Sequence, residues 1–175
     1  MRLKFLPIHI FRETPQVLFF DAGVEGANGS DVVIHHDNAI SPPNDGEYEQ
    51  YYVHQHQIDH NLVVDGSRIF YLLNPEWDEP YHIIYLNRAM GALQIPIGTF
   101  HRSISNNDGS IVLNQAVRDE NFNPEKEFTP VNLRKRKDLQ EAQEKDPFYW
   151  IWRKDHIKRV KFDSIRSSDK VLNIL

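Results

Sequence analysis

Short runs of Val, Ile, Leu, Phe and Tyr, each closed by a turn-forming cluster, fill most of the chain before Arg134, where helical periodicity is nearly absent. "VLFFDAG", "DVVIHH", "EQYYVHQH", "NLVVDG", "SRIFYLL", "YHIIYL", "GALQIPIG", "HRSIS" and "SIVLNQAV" are each of strand length. Between them stand Gly23, Gly26, "SPPNDG", Asp65-Gly66, "NPEWDEP" and the Asn106 to Gly109 cluster, which supply the positive or fixed φ angles of turns. About eight short strands at this spacing specify an all-β sandwich, jelly roll or small barrel. With 175 residues, 40% of them hydrophobic, the chain can close one core but hardly two. After Pro130 the pattern changes to a charged helix former, "NLRKRKDLQEAQEKD", and then to the aromatic and basic "PFYWIWRKDHIKRVKF". The expected organisation is a barrel domain over residues 1–130 and a C-terminal extension over 131–175, packed on the barrel and containing a short helix.

Charge and residue usage exclude several function classes. Acidic residues outnumber basic ones 25 to 20, so the net charge of −5 gives no electrostatic reason to bind nucleic acid or an anionic membrane. With no cysteine, thiolate catalysis, disulfides and zinc-thiolate sites are out, and a transition metal would need His, Asp or Glu. The N-terminal "MRLKFLPIHIFRETP" is interrupted by Pro7, His9, Arg12 and Glu13 and has no small-residue cleavage site. No run reaches membrane-spanning length, and the expectation is a soluble cytoplasmic protein without a membrane partner.

The stretch from Tyr51 to Gly66, "YYVHQHQIDHNLVVDG", carries three histidines. Residues two apart on a strand share a face, so His54 and His56 form a chelating edge. A bend at Gln57 to Asp59 would swing His60 back toward them, and the Pro-x-Gly turn of "IPIGTFH" presents His101. Four histidines in this arrangement point to one shared site. The tandem His35-His36 places its rings on opposite faces, so at most one could line the same cavity.

These residues resemble the two motifs of the cupin superfamily. "HQHQIDH" closing at Gly66 is similar to the first motif, with His54 and His56 at its two histidines and His60 where a glutamate commonly stands. "GALQIPIGTFH" followed by Asn106 is similar to the second, through Pro96, Gly98 and His101. Because Gly66 falls one residue early, Asp59 is the alternative to His60. The resemblance implies a cupin-type double-stranded β-helix, the RmlC-like jelly-roll barrel, with one metal at its inner end and pairing into homodimers. "NQAVRDENFNPEKEFTP" is also similar to the segment after the second motif in nucleotide-sugar epimerases and ketoisomerases of the superfamily, where histidines do acid-base work without metal.

Two chemistries follow. Four neutral imidazoles, His54, His56, His60 and His101, would leave a divalent transition metal (iron, nickel, zinc, copper or manganese) its full charge as a Lewis acid. The expected function is then metal-dependent oxygenase or isomerase chemistry on a small organic molecule, with a non-catalytic ligand-binding or storage role as an alternative. Without metal, the expected catalytic group is His54, His56 and Asp59, an imidazole base oriented by the carboxylate, with Tyr52, Tyr71 or Tyr85 as the acid of an epimerase or ketoisomerase. Arg68, Arg88 and Arg102, with Arg153, Lys154, Lys158 and Arg159 of the extension, are candidates for holding an anionic ligand.

Overall fold

The computed structural model describes residues 3–166 and Asp169. Its strands are β1 (Lys4–Leu6), β2 (His9–Glu13), β3 (Leu18–Asp21), β4 (Gly29–His35), β5 (Ile40–Ser41), β6 (Gln50–Tyr51) and β7 (Gln57–Leu73), then β8 (Tyr81–Leu86), β9 (Ala92–Ile95), β10 (Phe100–Arg118), β11 (Val131–Asn132), β12 (Phe148–Arg153) and β13 (His156–Val160). Two short helices, α1 (Pro124–Glu127) and α2 (Lys137–Gln143), lie near the C-terminus. The chain is all-β, as its sequence implies.

Asp65-Gly66 and Asn106 to Gly109 are bends inside two long strands rather than hairpin turns. β7 and β10 run antiparallel along their whole lengths, and the register shifts twice near the bend, between Ser105, which pairs Arg68, and Ser110, which pairs Gly66, and again between Ile111, which pairs Asp65, and Val112, which pairs Val63. Gly66 and Gly109 both have positive φ, 71° and 78°. A Cβ on Gly66 would stand 2.6 Å from the Gly109 carbonyl oxygen, and one on Gly109 would stand 2.4 Å from that of His35, so glycine is required on both sides of the bend. On one side of the bend β1, β9, the first half of β7, the second half of β10 and β4 make one layer. On the other, β5, the first half of β10, the second half of β7, β8, β12 and β13 make a second.

Alternation then decides what faces inward. Val63, Phe70, Leu72, Ile84, Leu93 and Val112 meet in the main core between the layers. The polar end of the same concave face is lined by Gln57, Asp59 and Asn61 of β7, His101 of β10 and Asn114 opposite. Outside the first layer, Leu62 and Ala92 are covered by Leu6, Ile8, Phe20 and Val24 of the N-terminal region. Residues after Pro130 are wired into this frame. β11 pairs with β6, Leu139 and Ala142 of α2 pack on Tyr51, Leu73 and Phe100, and β12 joins β8 in parallel. Trp150 and Trp152 share a face of β12 and pack toward Phe5. Among the described residues no helix is long and apolar enough to cross a membrane.

Candidate active site

The polar end of the curled sheet holds a half-open cavity of about 100 Å³. His54 reaches it from the connection between β6 and β7. This segment is tied to the Pro-x-Gly turn, where the Gly98 amide donates to the His54 carbonyl at 2.8 Å and Tyr52 and His101 exchange backbone hydrogen bonds of 2.9 and 2.8 Å. The same turn delivers His101, as the spacing of "IPIGTFH" predicts. The two imidazoles lie 4.9 Å apart, centre to centre.

Asp59 stands between them. Its Oδ2 is 3.5 Å from His54 Nε2 and 3.6 Å from His101 Nε2. Its Oδ1 accepts from Gln57 Nε2 at 2.6 Å and from Asn114 Nδ2 at 2.9 Å, which fixes the carboxyl plane. Buried His101 directs Nδ1 to the Thr99 carbonyl at 3.2 Å, an acceptor that keeps the proton on Nδ1 and leaves Nε2 facing Asp59. Burial pushes the His101 ring below the usual imidazole range, so it is neutral near pH 7. The donor atoms of His54, Asp59 and His101 fall within 4.8 Å of one another, so these three residues, rather than four imidazoles, are the ones whose types and spacing could hold a metal ion.

A fourth member comes from far along the chain. Glu127, the last residue of α1 and only 5% exposed, sets Oε2 3.4 Å from His54 Nδ1, a buried nitrogen that makes no hydrogen bond. The same oxygen accepts from the backbone N–H groups of Gln55 and His56 at 2.9 and 3.4 Å, so it holds the bend that carries His54. Asn123 caps the helix through Glu125 N, and Pro124 occupies its first turn. Sequence reasoning missed Glu127 as a site residue. The only signal was the "NPEKE" segment, and nothing in its spacing shows that it returns to a histidine 73 positions earlier.

The expected shell of four imidazoles is not assembled. β6 ends at Tyr51 and the chain bends at Gln55-His56, so His56 no longer shares a face with His54. Its side chain is 39% exposed and pairs with Asp119 at 3.0 Å, and that carboxylate raises the ring's affinity for a proton. β7 begins at Gln57, which turns Gln57, Asp59 and Asn61 inward and His60 outward. Buried on that other side, His60 directs Nδ1 to the Gln115 carbonyl at 3.0 Å. Asp59, not His60, faces His54 and His101.

Of the three tyrosines, Tyr52 lines the cavity, its ring 6.3 Å from that of His101. Tyr71 and Tyr85 pack with Ile69, Ile83 and Tyr149 on the opposite face of the second layer. Of the anion-binding candidates, Arg68 lines the cavity. Arg102 pairs with Glu49, Arg153 with Asp169 and Arg159 with Glu79, while Arg88 lies over Phe20.

No family model matches the chain, and no curated protein matches it in sequence. Solved structures do share its fold. QdtA, a sugar 3,4-ketoisomerase from Thermoanaerobacterium thermosaccharolyticum in complex with TDP, is 15% identical with a TM-score of 0.52 over 78% of this chain and 93% of that one. A 3,4-ketoisomerase from Helicobacter canadensis is 16% identical with a TM-score of 0.52, covering 82% and 99%. The rmlC epimerase of Mycobacterium tuberculosis is 12% identical with a TM-score of 0.50, covering 71% and 70%. The fold is thus the RmlC-like cupin jelly roll. The expectation of a metal-dependent oxygenase or isomerase is corrected: the shell it required is not assembled, and these structures of the same fold are described as sugar ketoisomerases and an epimerase.

Proposed function

We propose that the chain is an isomerase or epimerase of a keto sugar, presented in nucleotide-linked form, that works by moving protons on and off carbons beside the ketone. The observation that carries this reading is His54, held between Glu127 on Nδ1 and Asp59 on Nε2 in the wall of a cavity. A proton on Nδ1, facing Glu127, leaves Nε2 as the base. Nε2 takes the proton from the carbon next to the carbonyl, and the C–H electron pair moves into a C=C bond as the carbonyl becomes an enolate. Return of a proton to the opposite face of that carbon inverts it. Return to the former carbonyl carbon, with proton exchange between the oxygens, moves the ketone by one position. Tyr52, whose ring lies near that of His101, is the hydroxyl available for the return step.

A volume of about 100 Å³ admits the reacting part of a sugar but not a nucleotide, which would lie outside over the mouth. The TDP bound to QdtA supports a nucleotide carrier. A homodimer belongs to the same reading. β4 is an edge strand that turns Val32 and Ile34 outward at 65% and 55% exposure, and the separate β2–β3 hairpin exposes Ile10, Phe11 and Phe19. Pairing across a two-fold axis would cover both.

The test is turnover of TDP-linked sugars carrying a ketone at C3 or C4, followed by chromatography and NMR. Conversion by the wild type and its loss in His54→Asn are expected, unchanged by chelator. Tight binding without conversion of any such sugar would favour a binding protein.

A further inference from the structure

Arg68 follows the Gly66 bend and lines the same cavity as His54, Asp59 and His101. It is 2% exposed. Nε donates to Ser110 Oγ at 2.9 Å, and Nη2 donates to the carbonyls of Val33 and Ser110 at 3.2 and 3.1 Å. All three acceptors are neutral. Among the described residues no carboxylate pairs with Arg68, and its Nη1 has no hydrogen-bond partner.

The surroundings do not answer this charge. Asp31 lines the cavity as well, but its carboxylate is taken by Arg118. Asp59 is occupied by two amides and faces the two imidazoles. Beside Arg68, His35 is buried at 7% exposure with Nδ1 unpartnered. Burial and the Arg68 charge hold that ring down to about 4, so it is neutral, and burial lowers Arg68 itself only to about 10, so it stays charged. A guanidinium out of water keeps a strong demand for anionic oxygen when only neutral acceptors serve it. Its planar fork is the side chain best shaped to meet a carboxylate or phosphate.

From this combination, a buried arginine without a counter-ion that opens on the cavity beside an unpartnered imidazole, we infer that Arg68 anchors an anionic oxygen group of the ligand, a carboxylate or a phosphate. The inference deepens the keto-sugar reading, on which its choice of sugar probes rests, by giving the part of the sugar inside the cavity a negative substituent. A neutral deoxysugar would leave Arg68 unanswered.

The test measures binding without turnover, so its failure leaves the proton-transfer reading standing, and a failed turnover assay does not touch it. Glucuronate, inorganic phosphate and uncharged glucose are titrated into the wild type by calorimetry and thermal shift in chloride buffer. Saturable binding of glucuronate or phosphate is expected, with glucose at least ~10-fold weaker. A response to glucuronate alone assigns a carboxylate, and a response to phosphate alone assigns a phosphate. In Arg68→Met the anion should bind at least ~10-fold more weakly, and the anion-induced rise in melting temperature seen in the wild type should vanish, whatever the variant's own starting stability. A merely structural arginine would leave both as in the wild type. Equal binding of glucose, no binding of either anion, or full binding by Arg68→Met would overturn the proposal; if Arg68→Met does not fold, the wild-type contrast between anion and glucose decides.

Discussion

His54 has a carboxylate on each side, and the two do different work. Asp59 shares the reacting side of the ring with His101, whereas Glu127 stands behind it and also holds the backbone that carries it. Glu127→Gln keeps an oxygen for the Gln55 amide but withdraws the charge from Nδ1, so turnover should fall by about 10²-fold with little change in KM. His54→Asn should cost ~10³-fold or more, and steady-state kinetics would separate the two. His60→Ala should lower the melting temperature while leaving kcat within a few-fold, since its ring bonds Gln115 on the other side of the strand; a collapse of kcat in folded His60→Ala would return that residue to the site. At this scale the sequence was half legible. His54 and His101 come together as the Pro-x-Gly turn and the histidine spacing lead one to expect. His56 and His60 fall outside this group because the bend comes at Gln55-His56 rather than at Gln57 to Asp59: it ends the face that His54 and His56 would share, and β7, starting at Gln57, turns Gln57, Asp59 and Asn61 inward and His60 outward.

The elements that matter most are β7 and β10, whose shared bend folds one ladder into two layers and makes the cavity. Glycine chemistry at Gly66 and Gly109 was visible in the sequence, and hairpin turns were its natural reading. What distinguishes a bend from a turn is that both strands bend at one place, a long-range pairing that no local pattern encodes. Gly66→Ala combines an unfavourable φ with a Cβ 2.6 Å from a backbone oxygen that cannot easily move. A loss of about 2 kcal/mol or more is expected in urea denaturation. A neutral result would mean that the bend is not a fixed feature. In the proton-transfer reading α1 is the smallest element with a catalytic consequence, because four residues capped by Asn123 set the position of Glu127.

For the molecule as a whole, acid stability follows from buried imidazoles. His35 and His82 are each held down to about 4 from 6.5, chiefly by burial, and His82 Nδ1 accepts from Trp150 Nε1 at 3.2 Å. A histidine with a depressed folded-state pKa contributes full stability above its unfolded value of 6.5 and loses it as pH falls toward about 4. The unfolding free energy from urea denaturation should therefore be flat from pH 8 to 7 and drop below 6.5, by at most ~3 kcal/mol for each ring. His82→Gln, which keeps an acceptor but does not titrate, should shallow that slope; an unchanged slope would remove His82 from the account. Assembly is tested at the same scale. Sedimentation should give a dimer at micromolar concentration and a monomer for Ile34→Lys, and a wild type that stays monomeric would refute the two-fold pairing.

The most direct test of the central claim is solvent exchange at the carbon beside the ketone. In D2O, proton NMR of a TDP-linked keto sugar with wild-type protein should show loss of the C–H signal next to the carbonyl, a loss that persists in chelator and slows at least ~10²-fold in His54→Asn. Exchange that His54→Asn leaves unchanged would contradict the assignment of His54 as the base.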